Sequence, residues 1–598
     1  MELSEFAGAS NLVALFLKRA DQLGDKPFLA AKRDGAWRTM SWRHVAEQVC
    51  VLAESLRGLG LTDGDRVVLV SENRPEWCIA DLAIMAAGCI TVPAYTTNTE
   101  RDHQHILDDS GARAAIVSTA RLAQPLVPAI MRTGAVGHLI AMEPIRSSQA
   151  GSFDRHEWAA LTQGDAAAAR AAVDARIAGI ERGDTACIIY TSGTGGAPRG
   201  VLLHHGAILC NIEGAVQLLI EDFGIDEERF LSFLPLSHAY EHTGGQFLPI
   251  AIGAEIYYSE GLEKLASNIE EVRPTIMVVV PRLFEVLRAR IIKQIEKQGR
   301  VANLLLDGAL GLSERRARDR TRLTDRPLEL LLERTLRPKI RQRFGGRIKA
   351  LVSGGAPLNP EVGAFFQAMG LTMLQGYGQT EAAPVISCNR PAAGLKMDTV
   401  GPPMDGVEVR IAEDGEILVR GELVMKGYWR NPAETAHALQ IDPAEPDKGP
   451  WLHTGDIGHL DGRGRIVITD RKKDMIVNDK GDNVAPQKIE GMLTLQPEIA
   501  QAMVAGDKRP YLVGLIVPDA EWALEWARAN DEKFDLTALQ GLPAFRSSVR
   551  GAVDRVNAEL SVVEKVRKIA FADEPFSIEN EEMTPSMKIR RHMIKQRY

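Results

Sequence analysis

Apolar residues recur along this chain in two rhythms. Runs of five or six, "RVVLV" at 66–70, "AAIVS" at 114–118, "ACIIY" at 186–190, "TIMVVV" at 275–280 and "IKALVS" at 348–353, are rich in β-branched residues. Such short continuous runs read as strands buried on both faces. Segments with apolar positions at helical spacing separate them. The alternation holds for roughly the first 400 residues and predicts parallel sheets flanked by helices. The longest apolar stretch, "LAIMAAGCITVPAY" at 82–95, is broken by Gly88 and Pro93 and reads as a buried helix running into a strand. Beyond residue 400 the rhythm shortens. "GVEVRIAEDGEILVRG" is two strands around Asp414-Gly415, and "LDGRGRIVITD" is a second hairpin. After "DRKKD" strands ("QAMVAG", "YLVGLIVP") mix with helices again.

These patterns predict an α/β protein. A large N-terminal domain, 1–470, has parallel sheets flanked by helices and a small β-barrel-like unit at about 400–470; a smaller α+β C-terminal domain covers 471–598. The length of 598 residues fits this, since one hydrophobic core does not grow that large. No Pro-rich or Ser-rich linker marks the boundary, and the alanine-rich "DAAAARAAVDAR" reads as a surface helix.

Composition narrows the function. Hydrophobic content of 45% and charged content of 25% are those of a soluble globular protein. A net charge of -8 and a pI near 6.0 leave no basic footprint for nucleic acid. The six cysteines, at 50, 78, 89, 187, 210 and 388, include no C-x-x-C pair and are expected as buried reduced thiols. No window approaches a membrane span and the first residues lack a basic-then-apolar leader, so a cytoplasmic protein is expected.

Chemistry concentrates in "YTSGTGGAPRGVLLHH", 190–205, which reads as one short loop between the "ACIIY" strand and a helix. Its glycines admit close backbone approach, and Thr191, Ser192 and Thr194 supply hydroxyl donors, a combination suited to phosphate. Gly195 to Gly200 gives G-x-x-x-x-G, but Val201 and Leu202 stand where a Walker A loop needs Lys and Ser or Thr.

With "SGGAPL" (353–358), "QGYGQTEAAP" (375–384), "WLHTGDIGHLDGRGRIVITDRKKDMI" (451–476) and "TPSMKIRR" (584–591), this loop resembles the ordered signature of the adenylate-forming superfamily, the AMP-dependent synthetases and ligases. That family includes acyl-CoA synthetases, luciferases and peptide-synthetase adenylation domains. The resemblance runs from about residue 10 to the C-terminus and implies a mobile C-terminal domain and a two-step reaction. A carboxylate attacks the α-phosphate of Mg-ATP and expels pyrophosphate, and a thiol then captures the acyl adenylate. Carried onto this sequence, Thr191, Ser192, Gly193 and Thr194 hold the β- and γ-phosphates, with Arg199 beside them. Gly355, Ala356 and Pro357 line the purine, Tyr377 stacks on it within Gln375–Gly378, and Thr380 approaches the α-phosphate. Glu381 holds magnesium, a hard cation suited to a carboxylate. Asp456 and Arg471 take the ribose, Lys473 marks the hinge, and Lys588 is the catalytic lysine that bridges carboxylate and α-phosphate.

Three positions depart from the pattern: Gly195 replaces a threonine, Arg199 a lysine, and Asp482 in "GDNVAPQKIE" a glutamate. Slower or weaker use of ATP is expected from the first two.

"LPLSHAYEHTGGQF" and the segment 285–347 look like the long-chain fatty acyl-CoA synthetase branch, where that segment is a helical insertion. The implied function is long-chain fatty acid–CoA ligation with ATP, magnesium and coenzyme A. Transfer of the acyl group to a carrier protein and a weakly active lipid-binding relative are the alternatives. His238 and Gly354 are expected at the acyl end; His238 and His242, at i and i+4, lack the further ligands of a zinc site. The arginines at 315, 316, 318, 320 and 322, beside the apolar run 304–312 within the segment 301–322, admit two readings: peripheral contact with anionic lipid at the inner face of the membrane, or a solvated face balanced by Glu314 and Asp319. Oligomeric state and chain-length preference are not legible.

Overall fold

The computed structural model describes residues 8–145, 153–191, 197–317, 325–584 and 589–598. Ser192, Gly193, Thr194, Gly195, Arg318, Asp319, Arg320, Arg322 and Lys588 lie outside the described residues.

The chain divides into two compact units: Met1–Val409 with Leu418–His453, and Arg410–Ile417 with Thr454–Tyr598. The first unit is built on two eight-stranded sheets. In one, the strands run Gly427–Tyr428, Arg199–His204, Thr185–Thr191, Ile90–Ala94, Arg66–Val70, Ala114–Val117, His138–Ala141 and Asp154–Glu157. The six from Thr185–Thr191 onward are parallel, and the first two are antiparallel additions. The second sheet has a parallel centre, Met373–Gly378, Ala350–Ser353, Ile276–Val279, Arg229–Ser232, Glu255–Tyr258 and Pro27–Arg33, with one antiparallel strand at each edge.

The apolar runs explain this layering. Val68, Val92, Ala115 and Ile188 are buried in the centre of the first sheet, where helices cover both faces. The helix Pro75–Ala86 is apolar but for Glu76 and Asp81 and buried along nearly all its length, as a helix enclosed in a core must be. The expected helix-into-strand at 82–95 and the surface helix at Ala166–Ile177, which buries only Ala169, Val173 and Ile177, are both present.

The segment read as one loop, 190–205, is organised differently. Arg199–His204 is a strand that folds back antiparallel on Thr185–Thr191, and the following helix starts at His205. "RGVLLH" alternates too weakly to announce itself, but pairing back gives its backbone amides the ladder partners a buried segment needs.

In the second unit Asp456–Leu460 pairs with Ile466–Arg471, the expected hairpin. A three-stranded sheet, Ile499–Ala505, Leu512–Pro518 and Val566–Phe571, packs on the helices Pro486–Leu493 and Pro543–Glu559 through Ile489, Val504, Ile516, Phe545 and Val553. All six cysteines are free thiols, five of them buried. Among the described residues no helix is long and apolar enough to cross a membrane.

Candidate active site

The loop expected to cradle phosphate springs from two strand ends that face one another, Thr191 opposite Arg199. Its base is anchored by the carbonyl of Pro198, 2.8 Å from His105 Nε2, and by Tyr190, whose hydroxyl donates to Asp109 at 2.6 Å. Burial and the adjacent Asp109 keep the Tyr190 phenol protonated.

Arg199 is held from two sides. Nη1 donates to Glu434, and the guanidinium lies 4.4 Å from the centre of the Tyr428 ring. The Tyr428 hydroxyl in turn donates to Glu381 at 2.8 Å. A continuous chain therefore runs from Glu434 to Arg199, expected at the phosphates, and through Tyr428 to Glu381, the expected magnesium ligand; Glu434 and Tyr428 were not singled out from the sequence. Glu434 sits in the first turn of the helix Pro432–Ala438, capped by Asn431. The "YWRNPAE" string carries that signal, an aromatic followed by an Asn-Pro helix start.

Thr380 and Glu381 occupy a single helical turn, Thr380–Ala382, that other elements fix in place. Asn211 clamps it, donating to the Ala382 carbonyl at 3.0 Å and accepting from the Val385 amide at 2.6 Å. Thr243 donates to the Ala383 carbonyl at 3.0 Å. Gly378 just before the turn has no room for a side chain: a Cβ there would meet the Pro384 carbonyl oxygen at 1.8 Å.

Beside this turn, Ser353 stands opposite Gln375 on adjacent parallel strands. Ser353 Oγ, Gln375 Oε1, Gln379 Nε2 and Arg199 Nε are buried and have no hydrogen-bond partner among the described residues. Buried polar atoms without partners are costly, and Ser353 and Gln379 lie at the carboxyl ends of the adjacent parallel strands Ala350–Ser353 and Met373–Gly378, where such a sheet takes a polar ligand such as a nucleotide. Ser353 and Gln379 were not singled out from the sequence. Gly355, Ala356 and Pro357 form an exposed bend after the strand, while Tyr377 is buried within Met373–Gly378 with Gly376 at its flank. Gly354 lies against the Tyr240 ring, 2.7 Å from where its Cβ would be.

His238 caps the next helical turn, its Nδ1 accepting from the Tyr240 amide at 3.2 Å. His242 does not pair with it on a metal. Its Nε2 is 2.8 Å from Asp81 in the core, so the i, i+4 spacing reflects packing.

In the second unit Asp456 and Arg471 are cross-strand partners, and Arg471 Nε donates to Asp456 at 3.2 Å. Lys472 donates to Asp414 and Glu416, while Lys473 is exposed in the turn beyond Arg471. Lys588 is outside the described residues, but both ends of its segment are pinned. Met583 bridges Ile589, and Arg591 is tied to the buried Glu490.

The chain matches the model of the AMP-binding enzyme family over residues 16–429 and that of the AMP-binding enzyme C-terminal domain over 473–598. It is 33% identical over 580 residues to the long-chain-fatty-acid–CoA ligase FadD15 of Mycobacterium bovis, covering 94% of this chain and 92% of that protein. It is 29% identical to the chloroplastic long-chain-fatty-acid–[acyl-carrier-protein] ligase AEE15 of Arabidopsis thaliana, covering 100% of this chain and 88% of that one. Among solved structures, the anthranilate CoA ligase AuaEII in complex with anthranoyl-AMP shares the fold at 21% identity and a TM-score of 0.71, covering 100% of this chain and 99% of that chain. With both domain models matched in order and FadD15 aligned along nearly its full length, the chain belongs to the AMP-binding enzyme family and to its adenylate-forming, long-chain acyl-CoA synthetase branch.

Proposed function

We propose that the protein is an ATP-dependent long-chain fatty acid–CoA ligase acting through an acyl adenylate and releasing AMP and pyrophosphate. The observation that carries the reading is the linked set Arg199, Tyr428 and Glu381 at the base of the Thr191–Arg199 hairpin. It supplies a cation and a carboxylate in one place, as a polyphosphate with its magnesium requires. In this reading Thr191 and Arg199 contact the phosphates together with Ser192, Gly193 and Thr194, and Glu381 would hold magnesium, which neutralises phosphate charge when bound. Gly355, Ala356, Pro357 and Tyr377 receive the adenine, Thr380 the α-phosphate, and Asp456 and Arg471 the ribose. Lys473 is the hinge, Lys588 bridges the two anions during adenylation, and His238 and Gly354 border the acyl group.

Transfer to a carrier protein is the second reading, favoured by the full-length match to AEE15. Peripheral membrane contact through 301–322 belongs to the same reading. Among the described residues Arg315 is paired with Asp325 and Arg316 with Glu329, and Val301 and Leu304 are exposed apolar side chains.

The test supplies ATP, magnesium and long-chain fatty acids, free or in anionic vesicles, with either coenzyme A or a phosphopantetheinyl carrier. Acyl-CoA with stoichiometric AMP is expected. Acyl transfer to the carrier alone would select the second reading, and AMP release with neither acid nor acceptor dependence would overturn both. In the same assay Lys588→Ala should slow adenylate formation at least about 100-fold and leave transfer from synthetic acyl adenylate within roughly threefold. Equal slowing of both halves would remove Lys588 from its role.

A further inference from the structure

Two imidazoles and a carboxylate converge at the outer edge of the first sheet, on strands that carry none of the residues assigned above. His138 opens the strand His138–Ala141, and Asp154 and His156 lie on the edge strand Asp154–Glu157. The strands are parallel, with His138 opposite Asp154 and Ile140 opposite His156. Side chains alternate along a strand, so His138, Asp154 and His156 share one face. Arg155 takes the other, where its guanidinium lies 5.5 Å from the centre of the Phe153 ring.

The ligand atoms are already close. His138 Nδ1 and His156 Nε2 are 3.1 Å apart, Asp154 Oδ2 is 4.0 Å from His138 Nδ1, and the three groups' ligand atoms all fall within 4.8 Å of one another. Nitrogen and oxygen ligands bound at about 2.0–2.1 Å around a tetrahedral ion stand about 3.3 Å apart. The two nitrogens therefore meet that spacing as they are. The Asp154 side chain is 79% exposed and reaches it by rotating.

A hydrogen bond between two neutral imidazoles would explain the 3.1 Å contact but not the carboxylate turned toward the same point. Two imidazole nitrogens with one carboxylate oxygen are a donor set for zinc-class ions; magnesium and calcium take oxygen ligands. Three protein ligands also leave a fourth position for water.

We propose that His138, Asp154 and His156 form a binding site for a zinc-class divalent ion, separate from the magnesium expected at Glu381. The edge strand is four residues long and, among the described residues, pairs on one side only. A metal joining it to its neighbour would fix the end of the sheet, where short edge strands are least secured.

The test uses cobalt(II) as the probe on untagged, metal-stripped full-length protein. One equivalent is expected to bind, with the intense visible absorption of four- or five-coordinate cobalt, and zinc is expected to displace it. His138→Gln and His156→Gln should each weaken binding at least about 100-fold, more than loss of an outer-shell partner, and Asp154→Ala at least about tenfold. His437→Gln, exposed on another element, should change nothing. All four variants should keep the parent's ligase turnover. If a histidine variant folds poorly, judged by lost turnover, Asp154→Ala carries the test because its side chain is exposed. Weak octahedral cobalt absorption alone, or titrations indistinguishable between parent and Asp154→Ala, would overturn the site.

Discussion

Arg199 shows how a substitution within a phosphate-binding signature is accommodated. A lysine would present a point charge; the arginine has a plane, and this protein uses it, setting the guanidinium over the Tyr428 ring and one nitrogen on Glu434. Nε has no partner among the described residues. Tyr428 has two tasks, since its hydroxyl also orients Glu381. Burial first, and the nearby Glu381 next, hold its phenol well above the ordinary range, so it remains a donor at any working pH. Tyr428→Phe keeps the ring and removes the donor. We expect it to raise the magnesium concentration for half-maximal adenylation about three- to tenfold, equivalent to about 0.7 to 1.4 kcal/mol, the range of one hydrogen bond. An unchanged magnesium titration would separate Tyr428 from Glu381's function.

Between elements, the helix Pro75–Ala86 meets the π-helical turn His242–Phe247 through a fully buried polar contact. A single oxygen of Asp81 accepts from His242 Nε2 at 2.8 Å and Gln246 Nε2 at 2.7 Å. Trp77 and Phe247 pack edge-on against the His242 ring. π-helical turns are rare and strained, so one that persists needs fixed partners, and here Asp81 supplies them. Asp81→Leu would strand two buried donors and should cost about 3 kcal/mol or more, at 1–3 kcal/mol for each. Asp81→Asn retains an acceptor and should cost less. Urea midpoints of the two variants check this, and a loss under about 1 kcal/mol for Asp81→Leu would mean the turn is held by packing alone.

For the whole molecule, stability should fall away on both sides of an intermediate pH. Burial lowers His103 and His205 from the ordinary 6.5 to about 4. Between those values the unfolded chain binds protons the folded chain refuses, so their stabilisation is present above about 6.5 and lost as pH falls toward 4. Glu241 is the reverse case. Burial raises it from 4.5 to about 8 despite the Ser232 hydroxyl donating at 2.6 Å. The folded state there holds a proton the unfolded state releases, so that stabilisation is present below about 4.5 and lost as pH rises through 8. Glu241→Gln keeps the shape and cannot ionise. Its melting temperature relative to the parent should rise steadily from pH 5 to pH 8, and a flat difference would mean Glu241 does not carry a buried proton.

The sequence by itself determined the layering and the family. Short continuous apolar runs rich in β-branched residues suit strands covered on both faces, and motifs such as "QGYGQTEAAP" carry their chemistry in contiguous residues. The turn with Glu381 lies in such a motif, whereas the segment 190–205, read as one loop, is partly strand, and the cross-strand pairing of Asp456 with Arg471 came from the fold. Contacts between residues far apart in the chain have no local pattern. Tyr428 and Glu434 come to Arg199 only because the strand Gly427–Tyr428 pairs with Arg199–His204, and Asn211 reaches the Ala382 turn across 171 positions. The histidine spacing in "SHAYEH" is ambiguous until the fold puts Asp81 beside one of the rings. His138, Asp154 and His156 are unremarkable along the chain; parallel register alone brings them to one face. Tertiary structure decided these because hydrogen bonds and ligand sets depend on distance in space, which short-range periodicity does not encode.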